Sequence, residues 1–276
     1  MSTCDSLPVW VDGRFLEPGE AAISAEDPGF LLGLAVFDTL LCEGGQVFFI
    51  EDHLQRLVAG ALVIGIIAPE KAVLRSGVHS VAEALGERPA GIRLTLTPGA
   101  PGAGVRFVIT TRAWQAPSPE GVSVMLVPRA KLSGSKVELL KTTSRARNAL
   151  ALKEARSVGA WEALLGTDEG DLSEGTVSNL FIVVNGELRT PSLERGCLPG
   201  IVRSKIIELA NLAGEPCVQC SISPDDLRNA DEVFLTSSLA RIQPVNAIRG
   251  LRDDLPLGGG PRTRALQLAL SVLEMA

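Results

Sequence analysis

Tyrosine is missing from the 276-residue sequence altogether, histidine occurs twice, and the five cysteines are scattered. His53 heads a helical stretch and His79 lies inside another, both apart from any cluster of ligating residues, which speaks against a histidine-built metal centre or base. Cys4, Cys42, Cys197, Cys217 and Cys220 are odd in number and irregularly spaced, which excludes a disulfide framework and leaves them as small apolar fillers. Cys217-Val-Gln-Cys220 does fit the spacing of a redox pair or half a zinc site. Val218 and Ile222 mark that segment as extended, however, so positions three apart face opposite ways, and no second cysteine pair completes a metal site. Positive charge is not in excess: 26 Lys and Arg stand against 32 Asp and Glu, for a net charge of -6. No basic field therefore awaits a nucleic acid backbone. An uncharged apolar run of about 18 residues is also lacking, as is a basic start followed by an apolar stretch. The expectation is a soluble cytoplasmic protein that binds neither nucleic acid nor membrane. Internal repeats and low-complexity tracts are absent.

What is present is enough apolar surface, 46% of residues with a positive mean hydropathy, to bury two moderate cores. Prolines and glycine concentrate in Ala113-Trp-Gln-Ala-Pro-Ser-Pro-Glu-Gly121, which reads as a linker. The division expected is a small N-terminal α/β domain over 1–112, the linker over 113–121, and a larger C-terminal α/β domain over 122–276 that carries Lys141. In the first part, Pro8 to Gly13 and Val47 to Ile50 read as strands, and a helix starts near Glu51 with Leu54, Leu57, Val58, Ala61 and Leu62 on one face. A second helix is bracketed by Pro69 at its first position and Gly86 past its end. Strands follow at Ile92 to Thr97 and Val105 to Thr111. In the second part the pattern gives strands at Val122 to Val127, Trp161 to Gly166 and Leu180 to Val184. Asn185-Gly186 signals a hairpin into Glu187 to Thr190. Another strand covers Glu232 to Thr236, and helices span Ala146 to Val158, Ile201 to Leu212 and Arg262 to Glu274. This half is mixed α and β.

The chemistry gathers around Lys141. It follows Val137-Glu-Leu-Leu140 and precedes Thr142-Thr-Ser144, so its amine is expected at the end of a strand among small polar residues, where partial desolvation makes a lysine a usable nucleophile. Standing alone it reads as an exposed loop lysine, just as Glu174 alone reads as a turn residue. Glu174, in Ser173-Glu-Gly-Thr-Val-Ser-Asn-Leu-Phe181, is a carboxylate among small residues ahead of an apolar strand, able to keep a protonated pyridine ring cationic. Gly200-Ile201-Val202 opens a helix whose first amides are unpaired, and Thr236-Ser237-Ser238 supplies hydroxyls and amides in a turn. Arg56 adds a forked, permanent charge. Small-residue turns before helices are common; the order of these elements is what carries weight.

That order resembles the fold-type IV pyridoxal-phosphate enzymes, the class IV family of branched-chain and D-amino-acid aminotransferases and aminodeoxychorismate lyase. The resemblance runs from Val9-Trp-Val-Asp-Gly-Arg14 to the last helix. It includes Glu26-Asp-Pro-Gly-Phe-Leu-Leu-Gly33, Val36-Phe-Asp-Thr39, His53-Leu-Gln-Arg-Leu57, Lys141 with Glu154-Ala155, Leu172-Ser-Glu-Gly175 and Ser178-Asn-Leu-Phe181. It continues through Leu198-Pro-Gly-Ile201 with Arg203, Ala230-Asp-Glu-Val-Phe234 and Pro244-Val245. The resemblance implies a mixed α/β (α+β), two-domain fold like that of D-amino-acid aminotransferase. It implies pyridoxal 5'-phosphate as cofactor, with Lys141 as Schiff-base lysine and proton shuttle and Glu174 on the ring nitrogen. Arg56, the amides of Ile201 and Val202, and Ser238 are implied on the phosphate, and the Leu239 amide on phosphate or substrate carboxylate. Arg145 falls where relatives often place a tyrosine near the phenolic oxygen. A homodimer with sites at the domain interface is also implied.

Departures keep the substrate open. Relatives often carry an Arg-Gly pair after the strand corresponding to Ile92 to Thr97, whereas here the pair is Pro98-Gly99. The loop Pro98 to Gly104 is shorter than usual, Arg241 replaces a frequent glutamate, and pocket tyrosines are absent. Arg14, Arg93, Arg106 and Arg145 are alternative carboxylate binders of equal standing at this stage. The reaction expected is transamination between an amino acid or amine and a 2-keto acid. The alternatives are lyase-type release of pyruvate and an aromatic amine, and a scaffold that binds the cofactor without catalysis.

Overall fold

A computed structural model describes residues 9–275, the side chain of Arg129 excepted; Cys4 and Pro8 lie outside these residues. The described residues form two compact units, the first built from 9–115 together with 140–144, the second from 116–139 and 145–275.

The first unit contains β1 (Val9–Val11), β2 (Arg14–Leu16), α1 (Pro28–Leu31), β3 (Val36–Glu43), β4 (Gln46–Val47), α2 (Ile50–Val63), α3 (Lys71–Leu85), β5 (Ala90–Thr97) and β6 (Arg106–Ala113). The strands form one six-stranded sheet in the order β2-β1-β6-β5-β3-β4, antiparallel at every pairing. The amphipathic helices cover it. Leu54, Leu57 and Ala61 of α2 and Leu74, Val78 and Val81 of α3 recur at helical spacing and bury against Leu40, Ile92, Leu94 and Phe107 of the sheet. Each such leucine contributes about 2 kcal/mol by leaving water. The expected strand over Val47 to Ile50 stops at Val47: Phe49 turns the chain with φ 54° and α2 starts at Ile50. Pro69 lies outside α3, whose N-cap is Glu70, while Gly86 caps its end as expected with φ 60°.

The second unit contains β7 (Val122–Lys131), α4 (Ala146–Ser157), β8 (Glu162–Thr167), β9 (Leu172–Gly175), β10 (Asn179–Val184), β11 (Glu187–Pro191), α5 (Ile201–Leu212), β12 (Val218–Cys220), α6 (Pro224–Arg228), β13 (Glu232–Ser237), β14 (Arg241–Arg249) and α7 (Pro261–Met275). The sheet order is β12-β11-β10-β13-β14-β7-β8-β9, and a further pairing of β9 with β10 closes six of the strands into a ring. The closing pair is Glu174 with Asn179. Leu164, Leu180, Ile182, Leu235 and Val245 fill one core of this unit. The Asn185-Gly186 hairpin is as read, with φ of 50° and 79°, the left-handed pair that a tight turn between twisted strands requires.

Two readings change here. β7 runs on past Val127 to Lys131, with a register irregularity against β8 between those residues that accommodates Pro128, which cannot donate to a ladder. The stretch before Lys141 is no strand: Lys136–Leu139 is one 3-10 turn, and Thr142 makes a single bridge to Val36.

Candidate active site

In the first unit the site is organised by β3, whose alternating side chains face two ways. Phe37 donates its amide to the Lys141 carbonyl at 2.9 Å and Thr143 donates to Ala35 at 2.9 Å, so the Lys141 segment lies along the start of the strand. The approach is close enough that a Cβ on Gly33, at φ 64°, would sit 2.3 Å from the Ser144 hydroxyl. The Lys141 Nζ stands 5.0 Å from the Phe37 ring centroid. The Arg93 guanidinium lies over the same ring at 3.6 Å, because Arg93 pairs with Thr39 across β5 and β3 and so shares the Phe37 face.

Asp38, one residue along, points the opposite way to α2. Arg56 donates to it from Nε at 2.8 Å and from Nη2 at 2.7 Å, and the His53 Nδ1 lies 2.9 Å from the same carboxylate. Burial alone would raise the Asp38 carboxyl, but Arg56 and His53 beside it outweigh burial and hold it well below the usual carboxylate range. His53 thus serves to hold Asp38, and Asp38 fixes the plane of the Arg56 guanidinium. His79 is exposed on α3.

In the second unit, strand register brings the expected residues together. Glu174 pairs with Asn179, and Asn179 pairs with Thr236 on its other side, so Glu174 and the Thr236-Ser237-Ser238 turn share one end of the sheet. Glu174 Oε2 accepts from the Leu198 amide at 2.8 Å and from Asn179 Nδ2 at 3.3 Å. Asn179 also donates to the Leu198 carbonyl at 2.8 Å. This fastens Leu198-Pro199-Gly200, and with it the start of α5 at Ile201 and Val202, beside Glu174. Gly200 is required there, since its Cβ would meet Asn179 Oδ1 at 2.0 Å. Arg203, buried, ties α5 to β11 and β12 through the Pro191 carbonyl and Gln219, both at 2.9 Å.

Arg145 donates to the Thr176 carbonyl, and burial lowers its guanidinium from the ordinary value despite the nearby Glu174 and Glu162 carboxylates. Ser238 and Leu239 are partly exposed in the turn after β13. Of the other arginines, Arg14 is exposed on β2, Arg106 pairs with Asp12 at 2.9 Å, and Arg241 pairs with Glu274 at 2.8 Å.

Sequence reasoning passed over Lys131, Glu138 and Glu162. Lys131 Nζ is 2.7 Å from Glu174 Oε1 and 3.0 Å from Glu138 Oε2. Glu162 accepts from the 176–178 turn. Among the described residues there is no cluster of ligating side chains for a metal, and no helix is long and apolar enough to cross a membrane. The cysteines at 217 and 220 belong to an extended segment, with both thiols raised by burial, Cys217 to about 12.

The sequence model of amino-transferase class IV matches residues 35–248. The chain is 30% identical to the D-alanine aminotransferase of Bacillus licheniformis over 96% of each chain. It is 28% identical to the aminodeoxychorismate lyase of Bacillus subtilis over 94% of this chain and 92% of that one. Its structure superposes with a TM-score of 0.87 on the branched-chain aminotransferase of Thermoproteus uzoniensis with norvaline, at 29% identity, covering 96% of this chain and 94% of that one. The two-unit mixed α/β fold, the ordered motifs and these likenesses agree: the chain belongs to the class IV aminotransferases, pyridoxal-phosphate-dependent enzymes of fold type IV.

Proposed function

We propose that this chain moves an amino group between an amino acid and a 2-keto acid, with Lys141 as the lysine that bonds the cofactor. The observation that carries the reading is the Phe37 amide donating to the Lys141 carbonyl at 2.9 Å, which sets the Lys141 amine beside the Phe37 ring and the Arg93 guanidinium that lies over it. The residues suit pyridoxal phosphate on a separate ground. Among the described residues Thr236 Oγ1 and Ser173 Oγ are buried without a hydrogen-bond partner, beside the turn and the carboxylate assigned to the phosphate and the ring nitrogen. The bound cofactor would supply an electron sink for charge developing at the substrate Cα.

Around it this chain's residues divide the work. Glu174 would face the ring nitrogen, while Arg56, the amides of Ile201 and Val202 and the Ser238 hydroxyl would take the phosphate. The Leu239 amide would serve phosphate or substrate carboxylate. Arg145, positioned through Thr176, would face the phenolic oxygen. Lys141 Nζ would bond the cofactor and would be the group that takes and returns the proton of the substrate Cα. Arg93 is the substrate-carboxylate binder we favour, because it shares the Phe37 ring with Lys141, whereas Arg14 is exposed and Arg106 is paired to Asp12. We assign the linker to residues 113–121, the assembly to a homodimer and the location to the cytoplasm.

The purified protein is expected to be yellow and to convert D- or branched-chain amino donors with pyruvate or 2-oxoglutarate. Lys141→Ala should abolish this turnover, and Arg93→Met should raise KM for the acids more than it lowers kcat. Pyruvate and an aromatic amine released from aminodeoxychorismate, with no amino transfer, would assign the lyase reaction instead. Colour without turnover of either kind would leave a binding scaffold.

A further inference from the structure

We propose that Lys131 is a positioning residue that holds the proton shared between Glu174 and the cofactor's ring nitrogen on the nitrogen. The proposal rests on the cofactor reading above and concerns a residue that reading does not use. Lys131 ends β7 with only 4% of its side chain exposed, and a lysine is almost never buried unless paired. Its Nζ reaches three acceptors: Glu174 Oε1 at 2.7 Å, Glu138 Oε2 at 3.0 Å and the Gly196 carbonyl at 2.9 Å. An ammonium has three N–H groups to give, so the surroundings match the charged form donor for acceptor. Glu174, for its part, accepts from Lys131 on one oxygen and from Leu198 and Asn179 on the other. Every one of these contacts is a donor, which suits a carboxylate and gives a carboxylic acid proton nowhere to point.

The consequence follows from distance. A cation 2.7 Å from the carboxylate stands nearer to Glu174 than to any ring nitrogen paired with that carboxylate. It therefore keeps one Glu174 oxygen on an N–H donor, as Leu198 and Asn179 do for the other, and the shared proton stays on the ring. Of the other groups around the pair, Arg145 also acts on Glu174 through its charge while donating to the Thr176 carbonyl. Glu138 is drawn to Arg147 as well as to Lys131, Glu162 to the turn at 176–178, and Arg203 to Pro191 and Gln219. The Cys197 thiol nearby is pushed up by burial to about 11 and carries no charge at neutral pH. The same geometry separates the two lysines. The carbon that bonds a lysine lies across the pyridine ring from its nitrogen, so a lysine held on the nitrogen's carboxylate partner stands at the wrong end to form that bond.

The test compares Lys131→Met, Lys131→Arg and Glu138→Gln holoenzymes by the pH midpoint of the bound cofactor's visible band, by pyridoxal phosphate affinity and by kcat and KM. In Lys131→Met the ring nitrogen gives up its proton, so the midpoint should rise by about one pH unit or more. In the same variant kcat should fall at least about tenfold with KM little changed. Lys131→Arg, which keeps the charge, should return both towards the parent. Glu138→Gln leaves Glu174 as the one carboxylate of the three acceptors on the ammonium and should place the midpoint at or below the parent's. An unmoved midpoint in Lys131→Met, an arginine variant no better than methionine, or a raised midpoint in Glu138→Gln would each overturn the proposal. If Lys131→Met does not fold, the arginine and Glu138→Gln arms decide it. Borohydride labelling in the parent keeps the two readings apart. A label on Lys141 with an unmoved midpoint defeats only the role of Lys131, whereas no label on Lys141 defeats the cofactor reading itself.

Discussion

Asp38 interrupts the apolar run of β3 and has no exposed surface, a position that a carboxylate holds only with partners, here Arg56 and His53. Its folded-state carboxyl lies below the ordinary value of 3.8, with burial opposed and outweighed by those two neighbours. A lowered acid contributes stability that is present above the ordinary value and is lost as pH falls through the folded one. Unfolding followed against pH should therefore show an acid limb that Asp38→Asn flattens. Breaking a buried pair of this kind costs about 3 kcal/mol at neutral pH. A limb unchanged in the variant would show that Asp38 is not the titrating group. At this scale motif order singled out Lys141, Glu174 and Arg56, whereas Asp38 entered only as part of Val36-Phe-Asp-Thr39, without the strand that buries it. Lys131 was not legible, since a lysine beyond Pro128 reads as solvated until the strand is known to continue through the irregularity.

Among the elements, the turn between β9 and β10 depends on Glu162 at the start of β8. The fully buried carboxylate accepts five hydrogen bonds, from the amides of Ala163, Thr176 and Val177 and the hydroxyls of Thr176 and Ser178. Burial pushes its carboxyl above the ordinary 4.5, and these donors restrain the rise. A raised acid acts opposite to Asp38: its contribution is complete below the ordinary value and is lost as pH rises through the folded one. Glu162→Gln turns an amide N–H₂ towards backbone donors and should cost about 1–3 kcal/mol. The same change should make thermal stability less dependent on pH above the carboxylate range. A melting temperature equal to the parent's at every pH would contradict this. Helices α2 and α5 and the β10–β11 hairpin were legible because periodicity and Asn-Gly chemistry are local. The closure of β9 on β10 was not, because one pair, Glu174 with Asn179, has no periodic signature, and Glu162 reads as the edge of an apolar strand.

For the whole molecule, the chain's return at 140–144 to the first unit is the feature least visible in the sequence. It depends on contacts between residues as distant as Val36 and Thr142, and no local pattern encodes them. Phe30, Leu31 and Leu32, each more than half exposed around α1, form an apolar surface of the sort that association covers. Sedimentation should accordingly report twice the chain mass, and Leu32→Asp should shift the population towards monomer; a parent of single mass would remove the homodimer from the account. The central claim, that Lys141 is the lysine that bonds the cofactor, is tested most directly by borohydride reduction of the holoenzyme followed by peptide mass mapping. The account predicts the phosphopyridoxyl mass on the peptide containing Lys141. Its appearance on Lys131 or any other lysine, or on none, would contradict it.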